Sequence, residues 1–145
     1  MLSDEHFMKE AYKQALYADQ DGEIPIGCVI TLQNKIIARG YNQVEKLNDS
    51  TAHAEMIAMT AAQHYLGSKY LNECTLYSTV EPCYMCAGAC GCTHIGKIVY
   101  GASDPRRIDN SILTQLLHPN TVIIKNIFTE PCEVLVTNFF KKLRK

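Results

Sequence analysis

The stretch that decides the fold is residues 74–89, which read CTLYSTV followed by EPCYMCAGA. Its first seven residues are largely β-branched or aromatic, which predicts a strand from Cys74 to Val80. Pro82 holds the residue before it in extended backbone and is favoured where a helix begins. Cys83 and Cys86 then share one face of the first helical turn. The stretch therefore predicts a strand-to-helix junction that carries two thiols.

Helical and extended segments alternate on both sides of this junction. Apolar residues at helical spacing predict a first helix near 3–20, and the turn at Gln33-Asn34 joins two strands, 26–32 and 35–41, into an antiparallel hairpin. This alternation predicts a three-layer α/β/α fold in a single domain, 1–145, whose later strands could pair in parallel through helical crossovers. Further helices are predicted at about 52–66, from Pro82 onward and at about 130–143, and further strands at 95–101 and 121–124.

Composition narrows the class of protein. The chain is 47% apolar and 20% charged, as globular proteins are, and no apolar run approaches the length of a membrane span. The polar, acidic N-terminus lacks the pattern of a secretory signal, so we expect a cytoplasmic protein without a membrane partner. Seven cysteines, an odd number, then favour metal or thiol chemistry over a disulfide framework.

Charge gives little global attraction to nucleic acid, because the formal net charge is −1. An RNA contact would need a local basic patch. Lys141-Lys142 with Arg144-Lys145 forms one such patch, and Arg106-Arg107 forms a smaller one. The terminal patch is equally explained by cations that oppose the dipole in the last turn of a helix.

A second short motif supplies the groups that two thiols lack for hydrolytic catalysis. Residues 51–55 read TAHAE and open another predicted helix. Helix N-termini favour thiolates, and two thiolates with the imidazole of His53 form a soft ligand set for Zn²⁺. Three protein ligands leave a fourth position for water, which zinc would bring to a pKa of about 7. Glu55 is then the candidate that moves protons.

Each of the two motifs, taken alone, also fits a role without hydrolytic chemistry. A Cys-x-x-Cys pair can be a redox pair, and a lone histidine such as His53 more often caps a helix or fills a core. A structural zinc site would need a fourth ligand, which Cys90, Cys92 or His94 could supply. A non-catalytic, zinc-stabilised binding module would fit the ligands but would have no need of Glu55.

The two motifs together match the His-x-Glu and Pro-Cys-x-x-Cys pattern of zinc nucleobase deaminases. Over almost its whole length the sequence resembles the cytidine/deoxycytidylate deaminase superfamily, and it is most similar to bacterial tRNA-specific adenosine deaminases, which convert the wobble adenosine of an anticodon to inosine. The resemblance implies a five-stranded mixed sheet, one Zn²⁺ per subunit, a homodimer and a tRNA anticodon loop as partner. Further stretches that carry the resemblance are GEIPIG at 22–27, GASD at 101–104, LHP at 117–119 and Phe139-Phe140 before the basic residues.

The resemblance also implies a role for each site residue. The metal ligands are His53, Cys83 and Cys86, and the proton shuttle is Glu55. The backbone N–H groups of Ala54 and Cys83 face the base pocket, and Asn42 hydrogen-bonds the target nucleoside. Ile24 and Pro25 form the pocket wall. Asp104 and Phe140 contact the flanking nucleotides.

The substrate positions also fit purely structural roles. Asn42 could end a strand, Ile24 and Pro25 could form a turn and core, and Asp104 before a proline is a common turn pair. Phe140 could pack in a subunit interface instead of stacking on a base.

Two segments depart from the pattern of tRNA deaminases. Residues 105–111 read PRRIDNS where a Gly/Ala/Ser-rich segment is common, and residues 90–92 read CGC where a bulky apolar residue followed by polar ones is usual. The small residues at 90–92 could reshape a dimer contact or add thiols near zinc, with packing as the favoured role. The sequence therefore predicts hydrolytic deamination of a nucleobase, with adenosine in tRNA as the first substrate. A free base or nucleoside of the guanine or cytosine type is the alternative.

Overall fold

The protein is described here from a computed structural model that covers residues 1–104 and 111–144. The segment 105–110, which includes Arg106-Arg107, and Lys145 lie outside the described residues. No helix in the described part is both long enough and apolar enough to cross a membrane. The elements are α1 Asp4–Gln20, β1 Gly27–Leu32, β2 Lys35–Tyr41, α2 Val44–Leu47, α3 Ala54–Leu66, β3 Cys74–Val80, α4 Tyr84–Thr93, β4 Lys97–Ala102, α5 Ser111–Leu116, β5 Val122–Ile124 and α6 Thr129–Leu143.

The five strands form one mixed sheet in the order β2-β1-β3-β4-β5. The predicted hairpin is confirmed, because β1 and β2 pair antiparallel. β1 also pairs antiparallel with β3, with Cys28 opposite Ser78. From β3 onward the strands are parallel, with Leu76 opposite Ile98 and Ile98 opposite Ile123. The parallel strands place their carboxyl ends along one edge of the sheet.

Helices cover both faces of the sheet, which confirms the three-layer α/β/α architecture. Alternate side chains of each strand point to opposite faces, so Leu76 packs in one core and its neighbour Tyr77 in the other. One core joins the sheet to α3, α4 and α5, and the second joins it to α1 and α6. The metal-ligand motifs lie on the first of these faces.

The second and third helices of the sequence prediction begin later than expected. α3 begins at Ala54 and α4 at Tyr84, because His53 and Cys83 take extended backbone and act as N-caps. The predicted starts at 52 and 82 were therefore each two residues early. Two short helices, α2 and α5, were not predicted at all, since four and six residues give no measurable helical periodicity.

The CGC segment packs α5 against α4. Cys90 is fully buried and its Sγ lies 3.9 Å from Sδ of Met59. Gly91 faces the end of α5, where an added Cβ would lie 2.1 Å from the carbonyl oxygen of Leu116. Cys92 is exposed. The glycine at position 91 thus permits a close contact between two helices.

We expect Gly91→Ala to lower the free energy of unfolding by about 1–3 kcal/mol, the usual cost of overpacking, because backbone has to move away from the new methyl group. Urea denaturation measures the change. Gly88→Ala on the same helix is the matched control, since a Cβ there meets no atom within 4 Å. Replacing glycine with alanine in open helix should stabilise by about 0.5–1 kcal/mol. Equal effects of the two variants would contradict the packing role of Gly91.

Candidate metal centre and active site

The predicted metal ligands come together at the N-termini of α3 and α4. Nδ1 of His53 lies 3.5 Å from Sγ of Cys83 and 3.5 Å from Sγ of Cys86. All the ligand atoms of this group lie within 4.8 Å of one another. Gly40 of β2 permits this meeting, because an added Cβ would lie 2.5 Å from the carbonyl oxygen of Ala54 in the first turn of α3.

The donor set fits zinc. Tetrahedral Zn–S and Zn–N bonds of about 2.3 and 2.0 Å place sulfur and nitrogen about 3.5 Å apart, which matches the spacing observed. No fourth His, Cys, Asp or Glu among the described residues joins the cluster, so Cys90, Cys92 and His94 do not complete a closed structural site. Zinc held by these three side chains would keep one coordination position for a water molecule.

Electrostatics at the cluster favours a bound cation. The Cys86 thiol and the His53 ring hydrogen-bond to the Cys83 sulfur and lower the pKa of Cys83 to about 3. The same contact with Cys83, together with burial, raises the pKa of Cys86, so Cys83 ionises first. Hydrogen bonding to Cys83 raises the pKa of His53. Zinc binding would therefore displace the protons that these groups share without metal.

Glu55 lies beside the cluster and faces the cleft above it. Its side chain is only 4% exposed, and it lines the cleft together with His53 and Cys83. Burial raises the pKa of Glu55 to about 7. A carboxyl group with such a pKa can both accept and release a proton at neutral pH.

A cleft of about 1330 Å³ opens over the cluster. Asn42 lies in its wall and is 6% exposed. The Asn42 Nδ2 donates to the carbonyl oxygen of Ile24 at 3.3 Å, whereas its Oδ1 is buried and accepts no hydrogen bond from the described residues. A buried acceptor without a donor carries a desolvation cost, which a ligand N–H or O–H would relieve.

The other predicted substrate positions divide into two groups. Ile24, Ala54, Asp104 and Phe140 all line the cleft. Pro25 is fully buried and is not among the lining residues, so the predicted wall consists of Ile24 and the neighbouring Ile26. Phe139 and Phe140 differ as expected for adjacent helical positions, with exposures of 8% and 38%.

Two buried glutamates that support the cleft were not identified from the sequence. Glu23 accepts backbone hydrogen bonds from Glu45 and Lys46, at 3.1 and 2.8 Å, which fixes the loop after Asn42. Glu81 accepts one from the backbone N–H of Asp104 at 3.2 Å. In the sequence, only their positions inside the motifs GEIPIG and EPCYMC could have pointed to this role. Their hydrogen-bond partners lie more than 20 residues away along the chain.

Residues 1–102 match the family of the cytidine and deoxycytidylate deaminase zinc-binding region. The chain belongs to this deaminase family. The deaminase is 40% identical to the tRNA-specific adenosine deaminase of Bacillus subtilis (strain 168), over 100% of this chain and 93% of the relative. Zinc is thus the cofactor that the family and the donor set both indicate.

Solved structures extend the comparison to the fold. A structure from a study of A-to-I editing by tRNA:A34 deaminases superposes with a TM-score of 0.80 and 31% identity, covering 90% of this chain and 98% of that chain. A guanine deaminase from Bacillus subtilis superposes with a TM-score of 0.67 and 39% identity, covering 70% of this chain and 66% of that chain. The deaminase therefore shares its fold with enzymes of both substrate classes.

We expect Cys86→Ala to lose bound zinc and to lower the melting temperature, because a ligand is removed and metal binding is coupled to folding. Metal analysis by mass spectrometry and thermal denaturation measure the two effects. Cys90→Ala is the matched control, since Cys90 is equally buried one turn later on α4 but lies outside the metal cluster. It should retain zinc, and retention of zinc by Cys86→Ala would disprove the ligand assignment.

Proposed function

We propose that this protein deaminates adenosine to inosine at the wobble position of a tRNA anticodon loop, as a single cytoplasmic domain. The observation that carries the proposal is the volume of the cleft. Its volume of about 1330 Å³ exceeds the roughly 300–1000 Å³ of small-molecule pockets, although the metal cluster occupies only its floor. Such a cleft suits a base presented by a larger, single-stranded nucleic acid.

The outer wall of the cleft suits RNA. α6 contributes Phe140 and Lys141 to the lining, and Arg144 follows directly after it. An exposed aromatic ring stacks on an unpaired base, and neighbouring cations bind phosphates. The two cationic residues belong to the terminal basic patch, so these side chains do more than oppose the helix dipole. Asp104 lines the same cleft after the end of β4, where it would meet a flanking nucleotide.

The chemistry follows from the residues on the floor. Zinc bound by His53, Cys83 and Cys86 supplies a Lewis acid that makes hydroxide available near neutral pH. Glu55 accepts the proton of the attacking water and delivers it to the ring nitrogen of the base. It then moves the proton of the newly added hydroxyl to the amino group, the carbon–nitrogen bond breaks, and ammonia leaves as the carbonyl forms. The N–H of Ala54, which has no partner within α3, faces the base.

Asn42 orients the target nucleoside in this proposal. Its free Oδ1 accepts a hydrogen bond from the substrate, and the bond to Ile24 keeps the amide in place. Ile24 is 38% exposed and offers an apolar surface to the base or sugar. These contacts would hold the reacting carbon beside Glu55.

A free base or nucleoside is the competing substrate class, and the similarity to guanine deaminase is the observation in its favour. A non-catalytic binding module is disfavoured, because Glu55 is buried beside the cluster at a desolvation cost that such a module would have no reason to bear.

The deciding assay compares an anticodon stem-loop that carries wobble adenosine with free guanine, cytosine, cytidine and adenosine. We expect inosine in the stem-loop and no ammonia from the free compounds. Glu55→Ala is the control, and it should keep zinc while turnover falls by about 10²- to 10⁴-fold. Ammonia from a free compound alone would replace the RNA proposal with the small-molecule one, and inactivity of the zinc-loaded enzyme would favour the binding module.

We expect reversal of Lys141 and Lys142 to glutamate to weaken stem-loop binding more at low salt than at high salt. Each phosphate contact that is lost lowers the slope of log affinity against log salt by about 0.7. Titrations at several salt concentrations measure this slope. The reversal of Lys35 and Lys69, two exposed lysines outside the cleft lining, makes the same change in net charge. An equal effect of both pairs would contradict a local role for the basic patch.

The protein is also proposed to work as a homodimer, as its resemblance to tRNA deaminases implies. Helices α4 and α5 support this, since they leave several apolar side chains exposed. A second copy of the chain is the proposed partner of these side chains, because exposed apolar groups are typical of subunit contacts. The exposed residues are Tyr84, Met85, Ile112 and Leu116.

We expect sedimentation to give the mass of a dimer and Met85→Glu to shift it toward the monomer, because a charge would be buried in the contact. Val134→Glu places a charge at an exposed apolar position on α6 and is the control that should leave the dimer intact. A monomeric wild-type protein at micromolar concentration would reject the dimer.

A further inference from the structure

Asn126 completes a row of residues at the carboxyl edge of the sheet. β3, β4 and β5 are parallel neighbours, so their carboxyl ends lie side by side, where α/β proteins bind ligands. Cys83 follows β3, Asp104 follows β4 and Asn126 follows β5, and all three line the same cleft. Asn126 is therefore the member of the row farthest from the metal centre.

The side chain of Asn126 is available to a ligand. It is exposed within the cleft and makes no hydrogen bond with the described residues. An asparagine amide offers two donors and an acceptor and can pair with the edge of a base. The amide therefore keeps its full hydrogen-bonding capacity for a molecule that enters the cleft.

The loop that carries Asn126 is fixed by its neighbours. The N–H of Ile127 donates to the carbonyl oxygen of Tyr100 at 3.3 Å, and the hydroxyl of Thr129 donates to that of Gly101 at 2.9 Å. Both bonds attach the loop to β4. The backbone beside Asn126 is thus held at a constant place relative to the end of that strand.

The backbone of this loop is also strained. Asn126 and Phe128 both adopt left-handed backbone, with φ of 65° and 59°. Asparagine tolerates this conformation, whereas it is unusual for a bulky aromatic residue. The ring of Phe128 packs edge-on against Tyr12 at 5.5 Å, and Nζ of Lys9 lies 5.8 Å from its centre. Such strain persists where surrounding contacts impose it, and it occurs most often at functional sites.

We propose that Asn126 is a specificity-determining residue that hydrogen-bonds the base edge of one nucleotide in the RNA loop, on the Asp104 side of the reacting adenosine. This inference rests on the proposed RNA substrate. An RNA chain whose target base lies at the metal centre near Cys83 and which passes Asp104 would reach Asn126 next. This follows because the carboxyl ends of β3, β4 and β5 lie in that order.

The experiment measures kcat/KM for a set of stem-loops in which each unpaired nucleotide except the target adenosine is made abasic in turn. The variants are Asn126→Gly, which keeps left-handed backbone without strain, and Asn34→Gly as the matched control. Asn34 is also left-handed, with φ of 64°, but lies in the β1–β2 turn and outside the cleft lining.

Asn126→Gly should lower kcat/KM on the intact stem-loop by about three- to tenfold, the range for one hydrogen bond. It should match the wild type on the single abasic stem-loop that lacks the contacted base, while Asn34→Gly matches the wild type throughout. An unchanged kcat/KM, or an equal loss on every stem-loop, would overturn the role of Asn126 and leave the proposed function intact. Inactivity of the wild-type enzyme on all stem-loops would instead reject the proposed function.

Discussion

The meeting of two helix N-termini is the constraint on which the site depends. His53 caps α3 and Cys83 caps α4, and both leave the helix in extended backbone, so their side chains point toward each other across the end of the sheet. A glycine makes the close contact between β2 and α3 possible, because the first turn of α3 lies where a side chain at Gly40 would be. A sulfur and a ring nitrogen must lie about 3.5 Å apart around zinc, so the position of each helix N-terminus is constrained by the tetrahedral geometry.

Burial perturbs two polar groups of this site and lowers the stability of the folded protein. Glu55 sits in the core-facing first turn of α3, where burial raises its pKa to about 7. Asn42 presents an acceptor without a donor among the described residues in the same cleft. Groups of this kind lower stability in the empty protein, and substrate or metal removes the penalty on binding. Both groups line the cleft over the metal-ligand cluster, where a ligand would enter.

Prediction from the sequence succeeded where local pattern is strong. Strands 35–41 and 74–80 were predicted with their correct bounds, because alternation and β-branched residues define them. It failed for α2 and α5, which are too short for helical periodicity, and it placed the starts of α3 and α4 two residues early. The capping residues of both helices, His53 and Cys83, are also predicted metal ligands, so the pattern that marks a ligand does not mark the helix boundary.

The sequence by itself determined which residues form the candidate metal site, since the residue types and spacings of His53, Glu55 and the two cysteines are local properties. It also indicated the α/β class through alternation of periodicities. Only the tertiary structure decided that β1 lies between β2 and β3, that Glu23 and Glu81 support the cleft, and that Asn126 faces it. These features arise from contacts between residues far apart in the chain, which a local pattern cannot encode because register and packing are settled by the whole core.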